Sequence, residues 1–161
     1  MDLSTLFPWI LFAHVFGAIL AFGPGYTFMI IGAMGRLEPQ HANFGVRTTM
    51  AISKKIVYPL AIFQGVTGVL LIVASRVDLG SAIWLQTGIA LYAIALTYSL
   101  SIQQSAVNRL IDVTSAPPPA GAPPGPPPGL REAARKVQQG GIILGALVAV
   151  IVLLMVLKPT F

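Results

Sequence analysis

The chain has 161 residues, 55% of them hydrophobic and 9% charged, and contains no cysteine. Soluble domains carry about 25% charged residues, so this composition argues against a dispersed soluble monomer and for lipid as the solvent, and the missing thiols exclude disulfides, iron–sulfur clusters and covalently attached c-type haem. The net charge of +5 comes from Lys and Arg grouped at the ends of apolar runs, a pattern of membrane topology that needs no nucleic acid as partner.

A membrane-spanning helix needs roughly 20 mostly apolar residues. The first such run covers about residues 6–34, within which no Asp, Glu, Lys or Arg occurs. The opening MDLSTLFPW holds an aspartate and no basic residue, so the run is expected to be a retained span and not a cleaved signal. Residues 36–55 follow as a basic loop containing Arg36, Arg47, Lys54 and Lys55. The second and third spans are predicted at about 56–75 and 82–101, joined by a short connection that makes them a hairpin.

Residues 102–140 form a long connection with a proline-rich linker at 117–129, PPPAGAPPGPPPG. Proline lacks the amide donor and fixes φ, so this segment forms neither helix nor sheet. As polyproline II, at about 3.1 Å per residue, it is a spacer of roughly 40 Å. It reads as a tether or as a ligand for a proline-binding partner. The fourth span, about 141–157, is the most apolar.

Eight of the ten Lys and Arg residues fall in the 36–55 and 102–140 segments, with only Arg76 and Lys158 on the other side. The positive-inside rule then makes both segments cytoplasmic and both termini non-cytoplasmic. The predicted fold is all-α, an antiparallel four-transmembrane-helix bundle.

Helices in lipid associate by close backbone approach and by polar contacts. Gly17, Ala21 and Gly25 recur every fourth residue in the first span, as Gly141 and Gly145 do in the fourth, and these faces are expected to dock. His14 shares the Gly17–Ala21 face, which turns its imidazole toward other helices. Gln64, Thr67 and Gly68 of the second span, and the Gln86–Thr97 stripe of the third, are the polar groups expected to point inward with it. Pro24 interrupts the first span, either as a mechanical kink or as a break exposing carbonyls to a substrate.

The stretch HVFGAILAFGPGYTF and the closing MVLKP resemble the DUF2269-type integral membrane proteins of bacteria. That resemblance implies a four-helix protein of the cytoplasmic membrane. The histidine-bearing first helix is more distantly similar to CopD-like and HemJ-like membrane proteins, which implies haem as a cofactor and carries over only His14. Lys54 and Lys55 stand at the edge of the second span, away from the position that likeness needs.

Two readings of His14 follow: a hydrogen-bonded core histidine, or a haem or metal ligand. His41 lies beyond the first span, and Met29 and Met34 share its helix, so none supplies a second ligand from the opposite side. The spans hold no Asp or Glu, which leaves no intramembrane acid–base pair. The leading expectation is a non-catalytic interaction or accessory subunit in contact with the lipid bilayer, as a homo-oligomer or as part of a larger membrane complex. A haem- or metal-binding redox protein and a small transporter component are the alternatives.

Overall fold

The structure, a computed structural model, describes residues 3–115 and 125–159. The part of the proline-rich linker from 117 to 124 lies outside the described residues. The described residues are helical, with no strands, and include four helical stretches long and apolar enough to cross a membrane: Thr5–Leu37, Pro39–Ser75, Ile83–Ser115 and Leu130–Leu157.

The first stretch is two helices, α1 (Leu3–Phe22) and α2 (Pro24–Leu37), meeting at Gly23. Gly23 keeps helical angles, φ −51° and ψ −47°, and its N–H reaches the Ile19 carbonyl at 2.9 Å. Pro24 has no N–H to give to the carbonyl one turn earlier, and the ladder resumes with the Tyr26 N–H donating to the Gly23 carbonyl at 3.2 Å. The discontinuity is therefore a local interruption of the ladder inside a helical path.

The second stretch runs through a 3₁₀ turn (Pro39–His41), α3 (Ala42–Ile52), a π turn (Ser53–Val57) and α4 (Tyr58–Ser75). The third comprises α5 (Ile83–Tyr98), a π turn (Ser99–Gln103) and α6 (Gln104–Ser115), and the fourth is α7 (Leu130–Leu157). Most of the 36–55 segment, expected as a loop, is thus helical, as is 104–115. The physical reason is simple: basic side chains end the hydrocarbon-compatible stretch, but Arg and Lys are good helix formers and do not end the helix. Each π turn opens with a serine, and Ser53 Oγ donates back to the Thr49 carbonyl at 2.9 Å.

Between α4 and α5 the chain reverses with Arg76 in the left-handed region, φ 51°. Asp78 shapes this turn: its Oδ1 accepts the Gly80 N–H at 3.0 Å, and its carbonyl accepts the Ala82 N–H at 3.1 Å. The Gly80 N–H first, and then Ser81, hold the Asp78 carboxyl below the ordinary aspartate range.

The helices pack as two pairs. α1 runs along α4 and α2 along α3, while α5 and α6 run along α7. Asn43 joins the pairs where α3 meets α6, its Nδ2 donating to Thr114 Oγ1 at 2.9 Å and Ser115 Oγ at 2.8 Å. Tyr92 of α5 bridges to α4, its hydroxyl donating to the Ala61 carbonyl at 2.9 Å beside Gly65. The expected docking of the first span on the fourth is not what forms. Instead α7 packs on α5 and α6, and the missing side chain of Gly88 on α5 admits the methyl of Met155. Ala21 and Ala133 are each 1% exposed, while large side chains such as Trp9 at 73% face outward. Small residues inside and large apolar ones outside is the order that lipid, not water, permits.

Candidate functional site

The first two spans enclose a polar cluster centred on His14. α1 presents His14, Gly17 and Ala21 on one face, and α4 answers with Gln64, Thr67 and Gly68 at helical i, i+3 and i+4 spacing. His14 Nδ1 lies 2.7 Å from Thr67 Oγ1. Gln64 Nε2 donates to the backbone carbonyl of His14 at 2.8 Å, so α4 grips both the ring and the main chain of the same residue. Thr67 Oγ1 also stands 2.9 Å from the Phe63 carbonyl and 3.2 Å from the Gln64 carbonyl.

Gly17 makes this approach possible. A Cβ on Gly17 would stand 2.6 Å from Gln64 Nε2 and 3.1 Å from the Phe63 ring. A Cβ on Gly68 would come to 3.6 Å from His14 Cε1, so the edge of the imidazole rests on bare backbone. Gln64 and Thr67 are 5% and 4% exposed, the two buried polar side chains among the described residues. Both are hydrogen-bonded, as burial in an apolar medium requires.

The other residues singled out by sequence lie apart from this cluster. Pro24 opens α2, one residue after α1 ends. Gln86 is exposed and folds its amide back onto the Leu79 carbonyl of the turn, and Thr97 also faces outward. Their expected inward placement is therefore corrected: α5 turns the face bearing Leu85, Gly88 and Ala95 toward its neighbours, which leaves the Gln86–Thr97 stripe outside. Gly141 and Gly145 are exposed on α7, and a Cβ on either would meet nothing within 4 Å.

A second polar contact was not foreseen from sequence. Gln103, in the second π turn, donates Nε2 to the Val137 carbonyl at 3.1 Å, and its Oε1 sits against Gly140, buried and without a hydrogen-bond partner. The available signal was only the tandem Gly140–Gly141. Among the described residues no group of three or more His, Cys, Asp or Glu stands together. His41 is paired with Glu38 at 4.0 Å on the exposed surface. A haem or metal ion at the His14 cluster would thus be held by one imidazole nitrogen, and the atom with no hydrogen-bond partner among the described residues is Nε2.

Four spanning-length helices, small residues inside and a polar cluster between two of them define a helical integral membrane protein. The chain belongs to the DUF2269 family, described as predicted integral membrane proteins, which matches it over residues 8–159. No curated protein and no solved structure matches it.

Proposed function

We propose that this protein is a non-catalytic accessory subunit of the bacterial cytoplasmic membrane that receives a helix of a partner, or of a second copy, on the outer face of α7. The observation that carries this reading is the uncovered pair Gly141 and Gly145, one turn apart in the purest apolar helix, where a Cβ on either would meet nothing within 4 Å. Small residues at that spacing are the usual seat of a neighbouring transmembrane helix. The absence of carboxylates from all four sequence-predicted spans supports a role without acid–base chemistry.

In this reading the spans run antiparallel, with both termini outside the cytoplasm. Segments 36–55 and 102–140 are cytoplasmic, and the proline-rich linker 117–129 tethers α7. The eight-to-two distribution of Lys and Arg supports that orientation. The chain has no native cysteine, so a single Gly145→Cys variant reports only on its own position. In native membranes it is expected to form a cross-linked species that a Gly141→Leu change abolishes. Quenching of a Gly145 label by lipid-phase probes, with no cross-link formed, would contradict the reading.

A second reading is favoured by His14 Nε2, which has no hydrogen-bond partner among the described residues: a single-imidazole ligand for haem or a transition metal, whose redox chemistry the bound group would supply. Protein purified in mild detergent would then show a Soret band or bound metal that is lost in His14→Ala. A colourless, metal-free preparation removes this reading.

A further inference from the structure

The helical stretches are longer than a bilayer needs, and their contacts show where the surplus lies. At one level the Lys158 ammonium stands over the Trp84 ring, 5.7 Å from its centroid. At a second level the Gln103 amide meets the Val137 carbonyl. About 19 residues separate Trp84 from Gln103, and at 1.5 Å each the two levels are about 28 Å apart, the thickness of a hydrocarbon core. On the neighbouring pair, about 20 residues likewise separate Arg76 from Lys55 in the first π turn. α1 already contacts that turn, and α2 continues past it along α3, with Ile31 against Gly45 and Gly35 against Ala42. α2 is 14 residues long, so the α2–α3 hairpin reaches about 20 Å beyond the level of Lys54 and Lys55.

One side of this hairpin is apolar and uncovered. No residue of α2 is buried, and Ile30, Met34 and Leu37 continue a stripe begun by Tyr26. Leu37 and, on α3, Phe44 are 77% and 75% exposed. Between the helices Ile30, Met34, Gly35, Phe44, Gly45 and Thr48 line a cavity of about 240 Å³. That is below the range of small-molecule sites but admits an anchoring side chain. Arg36, Arg47, Lys54 and Lys55 are exposed on the hairpin with no ion-pair partner among the described residues. Its one carboxylate, Glu38, at the end of the cavity, stands 4.0 Å from His41. Immersing the hairpin in lipid would carry the cations in with it, which is costly for each. Pairing it with a second copy would set like charges against each other.

We propose that the α2–α3 hairpin stands clear of the bilayer and receives, between Met34 and Phe44, an amphipathic helix of a partner protein whose apolar face is flanked by Asp and Glu. The groove between two helices seats a third, methionine adapts to the side chain that enters, and the cations select acidic flanks. The site is separate from the outer face of α7 and does not depend on it.

The test uses the full chain in phosphatidylcholine nanodiscs and two fluorescent synthetic helices of about 18 residues, both with leucines along one face, one flanked by Glu and one by Lys. Anisotropy, corrected for empty nanodiscs, is expected to show binding of the Glu helix only. Met34→Asp, an exposed position that folding tolerates, is expected to weaken that binding about tenfold, and Arg47→Glu about threefold. A fluorophore on Met34→Cys is expected to be quenched from water and not by lipid-phase nitroxides. Equal binding of both helices, no binding of the Glu helix, or unchanged binding in Met34→Asp overturns the proposal. So does lipid-phase quenching at 34, which would place the hairpin in the bilayer, or a Met34→Cys disulfide dimer in native membranes, which would make a second copy the occupant.

Discussion

His14 Nδ1 and Thr67 Oγ1 are 2.7 Å apart across the α1–α4 contact, the direct side-chain bond that ties the first span to the second. Around it the two helices are shaped for each other, with Gly17 under Gln64 and Gly68 under the imidazole. Bonds of this kind in lipid average about 0.6 kcal/mol and reach about 1.7 kcal/mol, so Thr67→Val is expected to weaken the pair by roughly 1 kcal/mol. Reversible unfolding in mixed micelles, comparing Thr67→Val with Thr67→Ser, checks this.

Close packing at Gly17 is expected to cost more than the hydrogen bond. Gly17→Ala places a methyl 2.6 Å from Gln64 Nε2 and 3.1 Å from Phe63, so something must shift. Overpacking of this sort costs about 1–3 kcal/mol. Gly145→Ala, with nothing within 4 Å, is expected to leave the stability of the isolated chain unchanged. The same unfolding assay distinguishes the two substitutions.

The α5–α7 contact makes a complementary pair. Gly88→Ala meets the Met155 methyl and is expected to destabilise the protein, whereas Gly88→Ala with Met155→Ala trades the clash for space. A double-mutant cycle should give a favourable coupling between the two sites of about 0.5–3 kcal/mol. Strict additivity would mean that the two side chains do not meet.

Asn43 bonds both hydroxyls at the end of α6, so Asn43→Ala is expected to free that end from α3. Hydrogen exchange should quicken in α6 near Thr114 and Ser115, with less effect around His14. The stability change should be about 1 kcal/mol.

Asp78 predicts a pH response in the α4–α5 turn. Its carboxyl is held below the ordinary range by the Gly80 N–H and then by Ser81. A depressed folded value means that the turn's stabilisation is present above the unfolded carboxyl's value and is lost as pH falls through the folded one. The Gly80 amide resonance should report that titration below the ordinary aspartate range, and the effect should vanish in Asp78→Ala.

The spans were legible because apolar length is a property of the sequence itself: residues 56–75 and 82–101 carry it without reference to neighbours. Helix ends were not, since Arg47, Lys54 and Lys55 mark the limit of hydrocarbon while the helix continues through α3 and the π turn. His14, Gln64, Thr67 and Gly68 could be read as small or polar positions on two helix faces, and the structure brings them together. Gln86 and Thr97 had the same signature and face outward. A small polar stripe does not say which neighbour it meets, and α5 was claimed by Gly88 against Met155. Asn43 gave no signal and Gln103 only the tandem Gly140–Gly141, because their partners are separated from them by 71 and 34 residues.

The account depends most on the first span meeting the second through His14. In the cysteine-free chain, His14→Cys with Thr67→Cys should be joined by a short bifunctional thiol reagent in native membranes, read as a gel-mobility shift. His14→Cys with Thr97→Cys should not. Linkage of 14 to 97, or lipid-phase quenching at 14 with no link to 67, would contradict it.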